Sequence, residues 1–473
     1  MQISKTTALK IVITIIAVVL GVVIANLEPP EPLNEKSMLG LGIFVCFVVL
    51  SMVEVLPDYI CWMLMCTAWA ATQCVPFAKA FGAFSTPAWW LVVGAMVLAA
   101  AVAKCGLLKR IALTMMTKFP VTYRWQTFSL LLTGTVVSPL IPSGTVKATL
   151  MSPFALSISD SLGLPRRSNG ATGLFIAMFL SIGLAMPALI SATFINYVIL
   201  GALGDQYSVS YLMWLVASLP WLILTLLVGY ILIQILYRVE TAAITATNEA
   251  LLAEKNNLGP MSRDEKITTV VLVLCLILWV TERMHGISAA SVTLVATAVL
   301  CVTNVVDRVT FRSRITWDAI IFLGCAVSMT TAFPAMNIDK WIGLMAGPVL
   351  VPLLTENIFL FIVMLSLVVY VIRIFMVSQT AFMALFAVFL IPAATVANIH
   401  PWVLCFMSFT ACNVFLLKYQ NVMYMPAVFA AQTAAGEDFV EHKKVAKFAF
   451  AYMVTNILIL CACVPYWRFM GWL

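Results

Sequence analysis

Val136-Val137-Ser138-Pro139-Leu140-Ile141-Pro142-Ser143-Gly144-Thr145 lies in the middle of an apolar segment that starts after Arg124 and ends before Arg166 and Arg167. Two prolines and a glycine this close together interrupt a helix, because proline removes an amide donor and its ring clashes with the preceding turn. A segment with basic residues at both ends and a break at its centre enters a bilayer and returns to the side it left. The spacing therefore predicts a re-entrant hairpin over about 125–165 rather than a spanning helix.

The surrounding chain makes a bilayer the relevant solvent. Of its 473 residues, 63% are hydrophobic and 10% are charged, with a mean hydropathy of +1.05. A soluble chain carries roughly a quarter charged residues. In lipid the backbone must satisfy its own hydrogen bonds, which leaves helices or a closed barrel. The apolar runs here are long and continuous rather than alternating, so the barrel is excluded. Lys and Arg outnumber Asp and Glu by 27 to 20. They sit in short loops between apolar runs, a signal of orientation and not of nucleic-acid binding. The twelve cysteines are scattered, several within apolar runs (Cys46, Cys275, Cys325), and there are three histidines (His285, His400, His442). No cysteine–histidine cluster suggests a metal or a cofactor, and Cys461 and Cys463 read as small packing residues. Ile11 to Asn26 lacks a small-residue cleavage site and reads as the first transmembrane helix, with the amino terminus inside.

Apolar runs of spanning length fall at 11–26, 38–55, 58–74, 87–103, 171–199 and 211–237, then at 267–283, 287–305, 317–335, 341–353, 356–375, 401–431 and 447–466. The expected organisation is a first membrane repeat over 1–237, a cytosolic linker over 238–266 and a second membrane repeat over 267–473. A second interrupted segment, about 370–399, carries Val377-Ser378-Gln379-Thr380-Ala381 at its centre. Ser143-Gly144-Thr145 precedes Leu150 and Pro153, and Ser378-Gln379-Thr380 precedes Leu385 and Pro392. Two further spans carry polar residues where a helix should unwind: Pro187, Ser191, Thr193 and Asn196 in one, Asn413, Lys418, Gln420, Asn421 and Pro426 in the other. Paired interrupted segments in two halves point to a transporter's midplane site. The fold class predicted is an all-α polytopic membrane protein of two inverted repeats, each with a re-entrant hairpin and a broken transmembrane helix.

An anion leaving water needs donors that replace its hydration shell. Amides at a helix start and serine or threonine hydroxyls supply them, and glycine admits close approach. Ser143, Gly144, Thr145, Ser378, Gln379 and Thr380 are candidates at the tips, with Ser191, Thr193, Asn196, Gln420 and Asn421 in the broken helices. The plainer alternative has each hydroxyl bonding its own helix. Lys147 and Lys418 lie among apolar residues, where a charge is expensive unless it faces a cavity or meets an anion. For Lys147 the alternative is snorkelling to the interface. Arg373 reads as an anchor at the hairpin foot, with a substrate-facing cation as the alternative. Acidic residues are nearly absent from the span interiors, Glu54 being the main candidate, which argues against a proton relay and suits an anion pathway.

This arrangement resembles the divalent anion:sodium symporter family, whose members carry dicarboxylates, citrate or sulfate. Members show Ser-Asn-Thr at each hairpin tip. Here Ser143-Gly144-Thr145 and Ser378-Gln379-Thr380 keep both hydroxyl positions and lose both asparagines. The family's Thr-Pro-Pro-Asn-like loops correspond to Ser191 through Asn196 and Lys418 through Asn421, without paired prolines. The resemblance implies a homodimer in the bacterial inner membrane, a fixed scaffold and a moving transport domain, and a small anionic solute. The solute expected is a di- or tricarboxylate, with sulfate the next choice. It implies Na+ as the candidate coupling ion, near Ser143, Gly144, Ser191 and Gln379. Because both asparagines have changed, a protein cation at position 147 or 418 is expected to replace at least one sodium, giving either a sodium-independent exchanger or a symporter coupled to fewer ions, with Gln379 still offering a carbonyl oxygen to one sodium. The alternative is the same architecture with another cargo: a neutral or zwitterionic solute, an oxyanion, or cations in antiport with protons. An enzyme is not expected, since the chain has no HExxH motif and its histidines lie at loops and span boundaries.

Overall fold

The computed structural model describes residues 5–53, 55–204, 206–207, 209–239, 249–376, 378–432 and 436–473, with the side chains of 5–9 and 249–251 excepted. Glu54 lies outside the described residues, as do Val377 and part of the segment read as a linker. Every regular element among the described residues is helical, and nine helices are long and apolar enough to cross a membrane.

Lys5–Ala25 and Glu35–Met52 pack as a pair. A side chain on Gly21 would meet the Gly42 carbonyl oxygen at 2.8 Å, so this crossing depends on two bare backbones. Two series of elements then follow. The first runs Asp58–Ala71, Pro87–Cys105, the short amphipathic helix Leu107–Met116, a hairpin, a broken helix and Tyr211–Leu236. The second runs Ala289–Val302, Trp317–Ala335, Ile338–Glu356, a hairpin, a broken helix and His442–Phe469. The extra helix Arg263–Val280 starts the second series from the opposite face, which inverts it.

Loop contacts establish the inversion directly. At the foot of the first hairpin, Arg167 N donates to Phe439 O at 3.0 Å and Lys444 Nζ donates to Arg167 O at 2.5 Å. Those partners flank the start of His442–Phe469. At the foot of the second hairpin, His400 N donates to Trp472 O at 2.9 Å, just beyond the other end of that helix. A helix of 28 residues is about 42 Å long, so the two hairpins enter from opposite faces. The second hairpin also begins earlier than its sequence suggested. Ile358–Phe375, read as a separate span, is its first arm, and Gln379–Val396 is its second.

The two broken helices lie at the centre, and all twelve residues of Pro401–Cys412 are buried. Indole N–H groups tie their surroundings together: Trp214 Nε1 donates to Pro187 O at 3.0 Å, and Trp467 Nε1 to Ala217 O at 2.9 Å. On the face with the first hairpin's foot, Arg110 grips Glu265 at 2.7 Å and the Gly259 carbonyl at 2.9 Å. Hydrogen bonding from Arg110 holds the Glu265 carboxyl below its ordinary value. Lys104 does the same for Asp307, across 2.7 Å.

Candidate functional site

Tyr123–Val137 forms the first arm of the first hairpin and Gly144–Ser161 the second, joined through a 3-10 turn at Ser138–Leu140. Pro139 and Pro142 account for the break. Ser143 is the N-cap of the second arm, its hydroxyl accepting from Val146 N at 3.4 Å. Gly144 leaves no space for a side chain, because Met423 of the second broken helix packs against it. Phe194 N donates to Pro142 O at 3.0 Å, which docks the first broken helix on this tip.

Lys147 does not snorkel and does not face a cavity. It is fully buried, and its ammonium donates to Ser138 Oγ at 2.8 Å, Ser138 O at 3.3 Å and Ala192 O at 2.6 Å. Three donors meet three oxygens, two of them backbone carbonyls left over where the helices stop. The lysine therefore joins the hairpin turn to the break in the next helix.

The second hairpin repeats the device with another residue. Arg373 sits at the neck of the tip rather than at the foot, and it is 1% exposed. Its guanidinium donates to Met376 O on its own hairpin and to Gln420 O in the second broken helix. Gln420 Nε2 returns a bond to Arg373 O at 3.2 Å. Ser378 is the N-cap of the second arm, accepting from Ala381 N at 3.2 Å. Its hydroxyl donates to Asp58 Oδ2 at 2.9 Å. Gln379 Nε2 reaches Cys412 O at 3.3 Å and Asn413 Oδ1 at 3.4 Å.

The residues expected in the broken helices turn out to stabilise the breaks. Freed backbone groups in a membrane interior need partners. Asn196 Nδ2 donates to Leu189 O at 2.8 Å and Met186 O at 3.1 Å. Gln420 Oε1 accepts from Leu416 N at 2.7 Å and Leu417 N at 2.8 Å. Thr193 caps the helix that resumes at Phe194. Ser191 Oγ donates to Pro139 O at 2.8 Å and lies 3.1 Å from Tyr211 Oη. Asn421 Nδ2 donates to Asn413 O at 3.1 Å. Lys418 is exposed, in the 3-10 turn Lys418–Gln420, and forms no ion pair among the described residues. The hydroxyls of Thr145 and Thr380 are half-buried and form no hydrogen bond among the described residues.

The site geometry thus consists of two helix starts, each with a free threonine hydroxyl, each backed by a buried cation bonded to carbonyl oxygens. The sodium:sulfate symporter transmembrane region, a protein family, matches residues 8–473. The chain belongs to that family. Membership, with nine helices of spanning length among the described residues, makes it a multi-pass membrane protein of a symporter family. Relatives agree in kind. A membrane protein of Cupriavidus necator is 30% identical over 56% of this chain and 52% of its own length. Dicarboxylate transporter 2 of Spinacia oleracea chloroplasts is 28% identical over 74% of this chain and 63% of that protein. The putative malate transporter YflS of Bacillus subtilis is 24% identical over 72% of each chain. The matched region therefore spans about half of the first relative and under two thirds of the second. The crystal structure of the YdaH transporter of Alcanivorax borkumensis covers 99% of both chains with a TM-score of 0.58 at 13% identity, which shows a shared fold.

Of three further participants in this family member's site, Asp58 was not picked out from sequence, and Arg373 and Asn413 were named without their partners. Asp58 follows Pro57 at the start of an apolar run, and that position was its only signal. Arg373 was read at the wrong depth. Asn413, which bonds Gln379 on one side and donates to Gly183 O at 2.8 Å on the other, links the two halves through backbone that carries no sequence signature. A cavity of about 1360 Å³ lies beside the second hairpin, lined by Tyr197, Tyr211, Trp279, Arg283 and Lys340. Ile190, the neighbour of Ser191 in the chain, lines it, but none of the expected site residues does. Among the described residues no group of His, Cys, Asp and Glu could hold a metal ion.

Proposed function

We propose that this chain is a secondary active exchanger of small dianions, di- or tricarboxylates before sulfate, and that it works without sodium. The carrying observation is the pairing of each hairpin tip with a buried cation: Lys147 against Ser138 and Ala192, and Arg373 against Met376 and Gln420. Carbonyl oxygens gathered where a hairpin meets a broken helix are the ligands a transported cation would use. Here an ammonium and a guanidinium already fill those oxygens. The positive charge that symport would bring in with each solute is built into the chain.

Fixed charge also favours an anionic cargo. Lys147 has no carboxylate among its hydrogen-bond partners on the described residues, only Ser138 and Ala192 oxygens, so its charge is available to a dianion at the first tip, in a medium of low dielectric. Thr145 and Thr380 offer hydroxyl donors, and the starts of two 18-residue arms add amides and their dipoles. Ser143, Gly144, Ser378 and Gln379 shape the two tips around that space. The dicarboxylate and malate transporters among the relatives support this choice of cargo over sulfate. On this reading the hairpins and broken helices move as one body against the remaining helices, in a homodimer of the bacterial inner membrane. The 238–266 segment would join the two repeats on the cytosolic side.

The test is uptake of labelled succinate, citrate and sulfate into proteoliposomes. Each is tried with an imposed sodium gradient, and separately with unlabelled solute preloaded and no sodium present. Counterflow without sodium is the expected result. Accumulation that needs the sodium gradient would overturn the exchange reading and leave a symporter.

A further inference from the structure

The second hairpin tip already holds a carboxylate, and it belongs to the protein. Ser378 Oγ accepts from Ala381 N and donates its hydrogen to Asp58 Oδ2 at 2.9 Å. A serine hydroxyl has one hydrogen to give, so while this bond stands Ser378 has nothing to donate to a solute. Asp58 is 320 positions away in the chain. Its other oxygen, Oδ1, takes the Ser51 hydroxyl hydrogen at 2.6 Å, and Ser51 Oγ accepts from Trp62 Nε1 at 3.2 Å. The carboxylate is therefore oriented from outside the hairpin by one bond, from a serine that Trp62 in turn holds, and it is aimed at the tip and half-buried.

The bond also joins elements with different neighbours. Asp58–Ala71 packs chiefly on Glu35–Met52 and Trp317–Val327. The hairpin arm Gln379–Val396 packs chiefly on Ile338–Glu356, Pro401–Cys412 and Phe194–Leu203. Ser378 to Asp58 ties one group to the other at the point where a solute anion would compete for the same hydrogen. Among the described residues the first tip has no such acid: Ser143 caps its helix, and Gly144 lies against Met423.

We propose that Asp58 is a resident counter-anion of the second tip, which occupies the Ser378 donor when no solute is bound and which the solute's carboxylate displaces. The inference rests on the tips being the anion site. Two consequences follow. The resident carboxylate competes with the solute, so it weakens apparent affinity. It also fastens the empty hairpin to the helix Asp58–Ala71, so the unloaded protein crosses slowly and flux requires solute in both directions. Asp58 thus acts on exchange by restraining the empty form, without contacting the solute.

The experiment uses the full-length protein in proteoliposomes with whichever of labelled succinate, citrate or sulfate the wild type exchanges. Net efflux into solute-free medium is compared with exchange efflux, and KM is measured for each variant. In Asp58→Asn the ratio of net efflux to exchange should rise about tenfold and KM should fall by a similar factor. Asp58→Ala should shift both further, and Asp58→Glu should lie close to wild type. Ser378→Ala separates competition from mere loosening: it should raise the net-to-exchange ratio while raising KM, because it removes the tie and the solute's donor together. A folded Asp58→Asn protein with both quantities unchanged overturns the proposal. Should that variant not fold, Ser51→Ala frees the carboxylate from its orientation and should move both quantities the same way by a smaller factor; no movement there overturns the proposal as well. A wild type that exchanges none of the three solutes overturns the anion reading itself, a result distinct from normal exchange with an inert Asp58.

Discussion

The two hairpin junctions solve one problem with different residues. In the first, the cation is Lys147, on the arm after the tip, and its compact ammonium satisfies three oxygens around a point. In the second, it is Arg373, on the arm before the tip, and its planar fork spans carbonyls 44 positions apart, at Met376 and Gln420. The cations occupy positions that the inverted repeat does not relate to each other. What the halves share is therefore the physical requirement: leftover carbonyls at the meeting of a hairpin and a broken helix need positive charge or donors. They do not share a residue pattern that would supply it. The tips differ as well, since the first is packed against Met423 and the second is held by Asp58.

Removing the cations is the strongest way to break the comparison. Arg373→Met should have the largest effect, because it strands Met376 O and Gln420 O and frees the Gln420 turn that organises the second break. Exchange should fall to about a tenth or less, the loss of a buried charged hydrogen-bond pair being about 1.5–3 kcal/mol. Arg373→Lys should not restore it, since an ammonium cannot make the fork. Initial rates of counterflow on protein that passes gel filtration check both statements.

Lys147→Ala comes next and tests the sodium argument itself. The truncation leaves Ser138 O, Ser138 Oγ and Ala192 O facing a space the size of the lost side chain. Exchange in sodium-free buffer should drop by about tenfold, for the same desolvation reason. Sodium chloride, but not choline chloride, should recover part of it, because a small cation can bind the vacated oxygens. Equal rates in the two salts would separate Lys147 from any cation site and leave it a structural tie.

How far the sequence foretold these features depends on where each interaction's partner lies. The first hairpin and the breaks in both halves were legible because a proline pair, basic feet and polar residues in apolar runs are local signals. The second hairpin's start was not, since Ile358–Phe375 is a continuous apolar arm indistinguishable from a crossing helix. Lys147 stood out as a charge in an apolar run, but its acceptor at Ala192 is a backbone oxygen, and any residue type provides one. Asp58 was unreadable as a partner for Ser378 at a separation of 320 residues. Lys418 misled because apolar neighbours suggested burial, while Leu417 and Tyr419 are themselves 41% and 45% exposed.

The tips test whether the halves act together. Ser143→Ala and Ser378→Ala each remove an N-cap, which costs about 1 kcal/mol of helix stability, and each should raise KM about three- to tenfold. The comparison predicts inequality: Ser378 also carries the bond to Asp58, so only its loss should raise net efflux. A variant pair in which one serine has no effect on KM would reduce the two-tip site to a single tip.

Lys418→Ala should have the smallest effect, and it separates a bound cation from a steering one. The side chain is exposed and unpaired on the described residues, in a turn whose structure depends on Gln420 and Arg373. Folding should therefore be indifferent to it. A lone exposed charge beside an anion path acts over about 10 Å at 0.1 M salt and about 30 Å at 0.01 M. The variant should raise KM for a dianion by about two- to threefold at low ionic strength, and match wild type in high salt. An effect that persists undiminished in high salt would mean that Lys418 touches the solute directly. The positive charge at the tips would then come from three residues, not from the two buried ones.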